Sequence, residues 1–366
     1  LEKLKFSKQD ISCNFDFLAD TDNGLFEFDL EFHCGNLKIS TDQLYDYINN
    51  NKKLLNIDGS FVEITNKEEL DKLFFLLKDF NAKGKNKKYT GKLYQAIELS
   101  TFIENADNYN CYSYISNESY KRLIQETKGT KLLEKVKIPE KFSKILRSYQ
   151  SDGVQWMHFL RKYGFGGVLA DDMGLGKTLQ VLVMLSMIST SMPSLIICPK
   201  TLIHNWFNEI QKFVPDLKVL IACGGSIERI TKIKQASEYD IVITSYPLIQ
   251  KDIETYTKIG FEYCILDEAQ YIKNPSTRTA KCVKMIKSRY RLALTGTPLE
   301  NSITDIWSIF NFVMPGFLGN ESSFKARFTN INQGIDPQLN KDNKQDMLEI
   351  LNKKIKPFLL RKRKKC

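Results

Sequence analysis

Short apolar runs separated by amphipathic stretches dominate the sequence from Ile145 onward. Each run has the length and composition of a buried strand, and helical periodicity fills most of the intervals between runs. This alternation predicts the α/β class, with a largely parallel sheet and flanking helices. The predicted strands are residues 167–170, 195–198, 219–222, 241–244, 264–266 and 292–294. Because ligands of such sheets bind at the carboxyl ends of the strands, the polar residues that follow these runs are the candidates for chemistry.

The first 140 residues carry a different pattern. Residues 25–32 alternate with a period of two, which predicts a half-buried strand. Residues 54–57 and 61–64 flank Asp58-Gly59-Ser60, which is a hairpin signal. Helices are predicted at 41–50, 67–80, 93–103 and 120–126, and the lysine-rich residues 81–88 are predicted as a solvated hinge. We therefore predict a smaller α+β accessory domain at residues 1–140 and an α/β domain at residues 141–366.

The composition is that of a globular protein, with 366 residues of which 42% are hydrophobic and 26% charged. No apolar run of about 18 residues and no apolar signal segment occurs, so neither a membrane span nor secretion is predicted. The sequence begins at Leu1 rather than at methionine, from which a fragment of a longer protein is expected. Eight cysteines without a CxxC pair and three scattered histidines favour buried thiols in a reducing cytoplasm over disulfides, zinc or a histidine metal site.

The net charge of +10 is unevenly distributed. Residues 1–80 carry 9 Lys and Arg against 16 Asp and Glu, a net charge of −7, so the remainder carries +17. A basic body indicates a polyanionic partner, although lysine-rich surfaces are also commonly just solvated. Composition alone therefore leaves nucleic acid and plain solubility as alternatives.

A glycine-rich loop follows the first predicted strand of the α/β domain. It consists of Asp171-Asp172-Met173-Gly174-Leu175-Gly176-Lys177-Thr178 and leads into a helical run at 179–188. Strand, glycine turn and helix start are the parts of a phosphate-binding loop, whose backbone N–H groups and lysine face a polyphosphate while the threonine holds Mg²⁺. Asp171 stands where the general GxxxxGK[ST] pattern has glycine, so the loop alone is also compatible with an ordinary turn and a solvated lysine.

Two more polar motifs follow predicted strands. Asp267 and Glu268 come directly after the run 264–266, ninety residues beyond Lys177. Opposite a phosphate loop, the first carboxylate can hold Mg²⁺ through its waters and the second can orient and deprotonate the attacking water. Thr295-Gly296-Thr297 follows the run 292–294, and its hydroxyls can sense the γ-phosphate. Two solvated acids and an unremarkable turn are the alternatives when each motif is taken singly.

In this order and spacing the motifs resemble the first motor lobe of the Swi/Snf family of ATPases, within helicase superfamily two. The resemblance covers about residues 145–366 and includes further motifs at 146–156, 198–209, 224–229, 243–246 and 358–363. Residues 267–270 resemble the family's DEAH box, with Gln270 in place of histidine. Residues 1–140 more loosely resemble the helicase-associated region that precedes the motor in bacterial members.

The resemblance implies a RecA-like lobe that uses ATP and Mg²⁺. The implied catalytic residues are Glu268, Lys177 and Asp267, and the implied magnesium ligands are Thr178 and Asp267. Gln150 is implied to contact adenine, and the implied nucleotide-binding set is Arg147, Gln150, Asp172, Met173, Gly174, Leu175, Gly176, Lys177 and Thr178. The implied coupling residues, which relay loss of the γ-phosphate, are Gln270, Thr295, Gly296 and Thr297.

The resemblance also implies movement along double-stranded DNA. Contacts to the phosphate backbone carry no sequence information, so binding is expected to be sequence-tolerant and salt-sensitive. The candidate contacts are Lys200, Thr201, Thr244 and Ser245. Trp206 and Trp307 are predicted to be core residues, because a duplex keeps its bases stacked. The basic segment 353–365 is expected to be an inter-lobe connector with some phosphate contact, with a solvated linker or an import signal as alternatives.

The resemblance also implies a second RecA-like lobe whose arginines complete the ATP site, and residues 1–366 are expected to hold only the first lobe. The chain is therefore expected to hold half of an active site, to bind nucleotide weakly and to hydrolyse it very slowly. The expected function is the ATP-binding lobe of a double-stranded DNA translocase in a bacterial cytoplasm, at the nucleoid, with an unknown protein substrate. The alternatives are an RNA helicase or restriction-enzyme motor of the same superfamily, and a non-catalytic scaffold that retains the fold.

Overall fold

A computed structural model describes residues 6–50, 52–57, 59–78, 80–83, 88–106, 111–128, 135–296, 303–329 and 351–364. The chain divides into two compact units, Leu1–Leu132 and Leu133–Cys366, whereas the sequence pattern placed the division at residue 141. The seven cysteines within the described ranges are free thiols, and all except Cys223 are buried. No helix in these ranges has the length and apolar content that a membrane crossing requires.

The first unit is an α+β structure with two sheets. Its elements are β1 Phe6–Gln9, β2 Ile11–Asp20, β3 Leu25–Cys34, β4 Leu37–Ile39, α1 Thr41–Asn49, β5 Leu55–Ile57, β6 Ser60–Ile64, α2 Lys67–Leu77, β7 Asn81–Lys83, β8 Lys88–Lys92, α3 Leu93–Asn105, β9 Tyr112–Ser116 and α4 Glu118–Thr127. One sheet has the order β1-β6-β5, and the other has the order β7-β8-β3-β2-β9 with β4 paired to β3. The predicted strand at 25–32, the hairpin at 54–64 and the four helices are confirmed to within a few residues.

One face of the larger sheet of this unit is rich in buried aromatic rings. Strand β2 alternates strictly, so that Phe15 and Phe17 are buried while the residues between them are exposed. Phe17 stacks on Tyr120 of α4 with ring centroids 4.7 Å apart, and Phe28 of β3 stacks on Tyr89 at 5.1 Å. Burial of these rings contributes both apolar area and specific ring geometry to the core.

The predicted hinge at residues 81–88 is wrong at both of its ends, and residues 84–87 lie outside the described residues. Residues Asn81–Lys83 form β7 and Lys88–Lys92 form β8, which pair antiparallel with each other. Strand β8 also pairs with β3, from Leu25↔Lys92 to Phe28↔Tyr89. Lysines are poor strand formers by propensity, but the hydrogen-bonding edge of β3 supplies partners that the local sequence does not reveal.

The second unit is an α/β structure. Its elements are α5 Glu140–Ser143, α6 Ser148–Lys162, β10 Gly167–Leu169, α7 Lys177–Ser186, β11 Ser194–Cys198, α8 Ile203–Phe213, β12 Val219–Ile221, α9 Ser226–Lys234, β13 Ile241–Ser245, α10 Tyr246–Tyr256, β14 Gly260–Leu266, α11 Arg278–Met285, β15 Lys287–Leu294, α12 Ile303–Val313, α13 Glu321–Thr329 and β16 Leu359–Leu360. Seven strands form one sheet in the order β12-β13-β11-β14-β15-β10-β16. Every pairing in it is parallel, so the predicted fold class is confirmed.

Burial explains why the six predicted strands were recognisable. All residues of β10, β11 and β13 are buried, and so are six of the seven residues of β14. Strands covered on both faces by helices read as continuous apolar runs rather than as alternating ones. The seventh strand, β16, is only two residues long and was not predicted. It pairs with the otherwise open edge of β10.

The parallel sheet brings all the polar motifs to one edge. The loops after β10, β15, β14 and β11 emerge side by side, because these four strands are consecutive neighbours in the sheet. The register is tight at this end, since the Thr295 amide donates to Leu169 O at 3.1 Å and the Asp267 amide donates to Ile197 O at 2.9 Å. Segments that lie more than a hundred residues apart in sequence therefore meet at a single site.

Candidate functional site

The glycine-rich loop forms a cradle at the start of α7. Gly174 and Gly176 have φ values of +80° and +76°, which L side chains rarely adopt. Helix α7 begins at Lys177, and within the described chain no side chain caps its first turn. The first N–H groups of a helix have no intrahelical partners and bear a partial positive charge. The loop thus has the geometry of an anion-binding helix start.

Lys177 lies across the mouth of this cradle. Its Nζ donates to the carbonyl oxygens of Asp171 at 2.6 Å and Asp172 at 3.4 Å. Burial lowers the pKa of Lys177, and the nearby carboxylates of Glu268, Asp171 and Asp267 act in the opposite direction. A charge that is partly desolvated interacts more strongly with a phosphate than a fully hydrated one does.

Gln150 in the first turn of α6 is buried against the back of the loop. Its Nε2 donates to Leu175 O at 3.1 Å, and its Oε1 accepts from the Arg147 amide at 2.9 Å. The Tyr149 hydroxyl donates to the same Leu175 carbonyl at 3.0 Å. A Cβ on Gly176 would stand 2.4 Å from Gln150 Nε2, so the glycine is required by this close approach as well as by its φ. The structure brings the predicted adenine contact directly against the predicted phosphate loop.

Asp171 and Asp172 have a role that sequence reasoning missed. Asp171 is 1% exposed, and its two carboxylate oxygens accept from Gln180 Nε2 at 2.9 Å and from the Lys362 amide at 2.8 Å. Asp172 accepts from the Lys364 amide at 2.9 Å, and its own amide donates to Lys362 O at 3.0 Å. Two adjacent carboxylates therefore hold the segment after β16 beside the loop.

This contact also brings a second ammonium group to the loop. A Cβ on Gly174 would lie 3.4 Å from Lys364 Nζ. Asp171 occupies the first position of the general phosphate-loop pattern, where glycine is usual, and supplies a buried acceptor there for the C-terminal segment. No sequence signal near residue 171 indicates a partner 191 residues away.

The other residues that were predicted to bind the nucleotide lie around the same cradle. Met173 is 57% exposed at the tip of the loop, whereas Leu175 is buried beneath it. Thr178 is half-buried in the first turn of α7. Gly296 closes the opposite side, since a Cβ there would lie 2.7 Å from Met173 Cγ and 3.6 Å from Lys177 Nζ. The loops after β10 and β15 are thus in contact at Gly296.

Asp267 is the most constrained carboxylate of the site. Its Oδ2 accepts from Trp206 Nε1 at 2.8 Å and its Oδ1 accepts from the Glu268 amide at 2.9 Å, while its carbonyl accepts from the Tyr246 hydroxyl at 2.7 Å. Burial raises the pKa of Asp267, and the Trp206 N–H acts in the opposite direction. Burial also raises the pKa of Glu209, on the same helix as Trp206.

Glu268, Gln270 and Thr295 form a chain of side-chain hydrogen bonds. Gln270 Nε2 donates to Glu268 Oε2 at 2.7 Å, and the Thr295 hydroxyl donates to Gln270 Oε1 at 3.2 Å. Glu268 has φ +52° and is the one non-glycine residue with positive φ in the described ranges. Such a backbone costs on the order of 1–3 kcal/mol and persists only where the surroundings enforce it. Thr297, the remaining predicted coupling residue, lies outside the described residues.

The oxygen atoms and N–H groups at the carboxyl ends of these strands suit a nucleotide that carries Mg²⁺. Mg²⁺ prefers oxygen ligands and commonly takes one or two from the protein, with waters and substrate phosphates completing its shell. The Thr178 hydroxyl and the Asp267 carboxylate are oxygens of this kind. The glycine cradle and the uncapped start of α7 suit the phosphates themselves.

The four predicted DNA contacts separate into two pairs. Lys200 and Thr201 are exposed, in a short 3-10 turn that follows β11 and Pro199. Thr244 and Ser245 are 0% and 1% exposed at the end of β13, so their side chains do not reach a surface that DNA could touch. Thr244 instead donates to Ala222 O at 3.4 Å. Trp206 and Trp307 are 1% and 6% exposed, which confirms that both belong to the core.

The glycine pair after β12 is held by a buried ion pair. Arg229 and Asp252 are 4% exposed, and two guanidinium nitrogens donate to the carboxylate oxygens. Arg229 Nη1 also donates to Gly224 O at 2.7 Å. Arg229 thus joins α9 to α10 and fixes the Gly224-Gly225 turn between β12 and α9, so its guanidinium is not available to a ligand.

A parallel sheet that gathers a glycine loop, paired carboxylates and a threonine at the carboxyl ends of its strands is typical of nucleotide-binding α/β proteins. The protein-family model that describes the SNF2-related domain matches residues 149–366 of this chain. The chain belongs to this family, as a Swi/Snf-type ATPase lobe of helicase superfamily two.

Relatives of known name agree with this assignment. The TATA-binding protein-associated factor MOT1 of Saccharomyces cerevisiae is 39% identical over 268 residues, which are 68% of this chain and 14% of the relative. The putative ATP-dependent helicase/translocase YwqA of Bacillus subtilis is 31% identical over 355 residues, which are 94% of this chain and 37% of the relative. The chain thus spans well under half the length of either relative.

A solved structure shares the fold. The SWI2/SNF2 ATPase core of Sulfolobus solfataricus in complex with double-stranded DNA is 38% identical, with a TM-score of 0.53. The similarity covers 63% of this chain and 46% of the archaeal chain. Membership of this family implies the use of ATP, usually with Mg²⁺.

Proposed function

We propose that this chain provides the ATP-binding lobe of a motor that translocates on double-stranded DNA. The observation that carries the proposal is the convergence of the glycine loop, Asp267-Glu268 and the Gln270–Thr295 pair at one sheet edge. The Sulfolobus relative whose fold is similar is bound to double-stranded DNA, which favours a duplex as the track.

The nucleotide would be held by the loop and by α6. The N–H groups at the start of α7 and Lys177 face the phosphates, and Gln150 with Arg147 stands where adenine would contact the lobe. Thr178 and Asp267 would hold the Mg²⁺, which neutralises phosphate charge when it is bound. The remaining members of this binding set are Asp172, Met173, Gly174, Leu175 and Gly176.

Glu268 is the proposed catalytic base. A carboxylate next to the phosphate site can orient a water molecule and accept its proton during attack on the γ-phosphate. The left-handed backbone at Glu268 and the bond from Gln270 Nε2 fix the direction of this carboxylate. The bond from Thr295 to Gln270 would tie the position of Glu268 to the loop that follows strand β15. Thr297 and Gly296 complete the proposed coupling motif.

The proposed DNA contact uses two of the four residues that the sequence indicated. Lys200 and Thr201 are exposed at the sheet edge and carry the groups that commonly bind phosphate oxygens. The charge of +17 on the residues after 80 favours a polyanionic track. We propose sequence-tolerant backbone binding through this turn, and residues 1–132 as an accessory domain of undefined role.

We further propose that residues 1–366 supply one side of the ATP site. Family resemblance implies a second lobe whose arginines approach the phosphates, a contribution worth several orders of magnitude in phosphoryl transfer. We therefore expect slow hydrolysis by residues 1–366 alone. A bacterial, nucleoid-associated location in the cytoplasm would follow from a DNA-directed role and is favoured by the Bacillus relative.

The decisive experiment compares nucleic acids as activators of ATP hydrolysis. In the protein that includes its second lobe, duplex DNA should stimulate hydrolysis at least about tenfold more than single-stranded DNA or RNA. Preferential stimulation by RNA would favour an RNA helicase instead. Lys177→Ala should abolish nucleotide binding, whereas Glu268→Gln should retain binding and lose roughly a thousandfold in turnover. Wild-type cellular function with either variant would indicate a scaffold.

A further inference from the structure

The indole of Trp206 is a fixed donor to the site. Its Nε1 donates to Asp267 Oδ2 at 2.8 Å, and the residue is 1% exposed, among the largest fully buried side chains of the described chain. An indole N–H has no acceptor capacity and its ring cannot rotate in a packed core. The direction of this hydrogen bond is therefore set by the position of α8.

The same carboxylate retains room for a cation. Each carboxylate oxygen has about two acceptor positions, and Asp267 uses one on Oδ2 for Trp206 and one on Oδ1 for the Glu268 amide. The backbone is anchored separately, by Ile197 O and by the Tyr246 hydroxyl. Trp206 and the Glu268 amide thus set how the carboxylate is rotated, while the contacts of the Asp267 backbone determine where it lies.

Trp206 also stands close in sequence to the proposed DNA contact. Helix α8 begins at Ile203, directly after the 3-10 turn Lys200–Leu202 that carries the exposed Lys200 and Thr201. Trp206 lies in the first turn of this helix, where Ile203 and Ile210 are also buried. Because a helix moves as a rigid element, a displacement of the turn by a bound phosphate backbone would shift the indole and the hydrogen bond that it makes.

We propose that Trp206 is a positioning residue that orients Asp267 for Mg²⁺ and couples DNA contact at Lys200–Leu202 to the magnesium site. This inference rests on the proposed function, in which Asp267 holds Mg²⁺ and the turn contacts DNA. Partners that orient a metal ligand typically contribute ten- to a hundredfold to metal affinity. An indole that only fills the core would not influence the dependence of nucleotide binding on Mg²⁺.

The test is the Mg²⁺ dependence of nucleotide binding, measured with a fluorescent ADP analogue on the two-lobe protein. Trp206→Phe retains an aromatic ring and removes the N–H donor. It should raise the Mg²⁺ concentration at half-maximal binding about tenfold and leave binding in EDTA within about twofold of wild type. Duplex DNA should lower this midpoint in the wild-type protein and leave it unchanged in Trp206→Phe.

Trp307→Phe is the matched control. Its indole is also buried, but its Nε1 donates to Gly319 O at 3.1 Å, so this substitution should keep the wild-type Mg²⁺ midpoint. An unchanged midpoint in Trp206→Phe would overturn the positioning role, and a wild-type midpoint that is insensitive to DNA would overturn the coupling. Asp267→Asn distinguishes failure of the positioning role of Trp206 from failure of the proposed function. An unshifted Mg²⁺ midpoint in Asp267→Asn would refute Asp267 as a magnesium ligand.

A second measurement tests the positioning role of Trp206 if the Trp206→Phe variant does not fold. The protein labelled with 5-fluorotryptophan keeps its core, and Trp156→Phe and Trp307→Phe variants assign the fluorine resonances of this chain by elimination. Addition of Mg²⁺ to the ADP-bound protein should shift the resonance of Trp206 and leave that of Trp307 in place. A Trp206 resonance that does not move would overturn the proposal.

Discussion

At the scale of single residues, Gln270 shows how a substitution within a motif can keep its chemistry. The family's box has histidine here, and a neutral imidazole offers one donor and one acceptor. The glutamine amide also offers both, and it uses them toward Glu268 Oε2 and the Thr295 hydroxyl. The replacement therefore preserves a link between the proposed catalytic base and the strand-end threonine.

This link can be tested by two substitutions. Gln270→Ala removes both hydrogen bonds and should lower DNA-stimulated ATP hydrolysis by roughly ten- to a hundredfold, because a bond to a charged group is worth about 1.5–3 kcal/mol. Nucleotide affinity should stay within about twofold, since Gln270 makes no described contact with the glycine loop. Gln270→His should restore most of the turnover. Equal rates for wild type and Gln270→Ala, measured in a steady-state assay, would contradict the link.

Long-range contacts of single side chains could not be predicted. Spacing placed Asp267 and Asp171 at strand ends, but their partners Trp206 and Lys362 lie 61 and 191 residues away. Apolar periodicity does not encode which indole meets which carboxylate. The location of the site could be predicted, because parallel strands bring their carboxyl ends together. The burial of Thr244 and Ser245 could not be predicted from the sequence.

At the scale of elements, carboxylate side chains help to hold the two-residue strand β16 in place. Two residues make few backbone bonds, whereas Asp171 accepts from the Lys362 amide immediately beyond the strand. Sequence pattern could not reveal such a strand, because Leu359–Leu360 is too short to show periodicity. The strands β7 and β8 were missed for a related reason, since the pairing of β7 with β8 and of β8 with β3, rather than their composition, makes them strands.

Asp171→Ala should release the segment after β16. The substitution leaves Gln180 Nε2 and the Lys362 amide without their acceptor, so the free energy of unfolding should fall by about 3 kcal/mol, as measured by denaturant titration. Hydrogen exchange at residues 360–364 should accelerate. Asp172→Ala removes only an exposed acceptor for the Lys364 amide and should cost less than about 1 kcal/mol. Equal effects of the two substitutions would argue against this role of Asp171.

The buried pair between α9 and α10 gives a second test at this scale. Arg229→Ala leaves the 4%-exposed Asp252 carboxylate unpaired, and about 3–5 kcal/mol of stability should be lost. The double variant Arg229→Met with Asp252→Leu removes both charges and should recover most of this loss. The comparison uses the same denaturant titrations. A double variant no more stable than Arg229→Ala would mean that packing or the bond to Gly224 O, rather than the unpaired charge, dominates.

At the scale of the whole molecule, the distribution of charge along the chain suits the proposed DNA-directed motor lobe. The acidic residues 1–80 carry a net charge of −7 and the remainder carries +17, so a polyanion is attracted to the part of the chain that holds the nucleotide site. Such attraction depends on the release of counterions from DNA and is therefore weakened by salt. The exposed ammonium of Lys200 is the proposed point at which this general attraction becomes a defined contact.

Lys200→Ala should weaken duplex binding equally on unrelated sequences. Loss of one phosphate contact should reduce the slope of log affinity against log salt concentration by about one, measured by fluorescence anisotropy from roughly 50 to 200 mM salt. Lys258→Ala is the matched control, because this exposed lysine precedes β14 and lies at the amino ends of the strands, opposite the site. Its removal lowers the net charge equally but should leave the slope unchanged. If both substitutions reduce the slope to the same degree, then the attraction is diffuse and the turn at Lys200–Leu202 is not a specific contact with DNA.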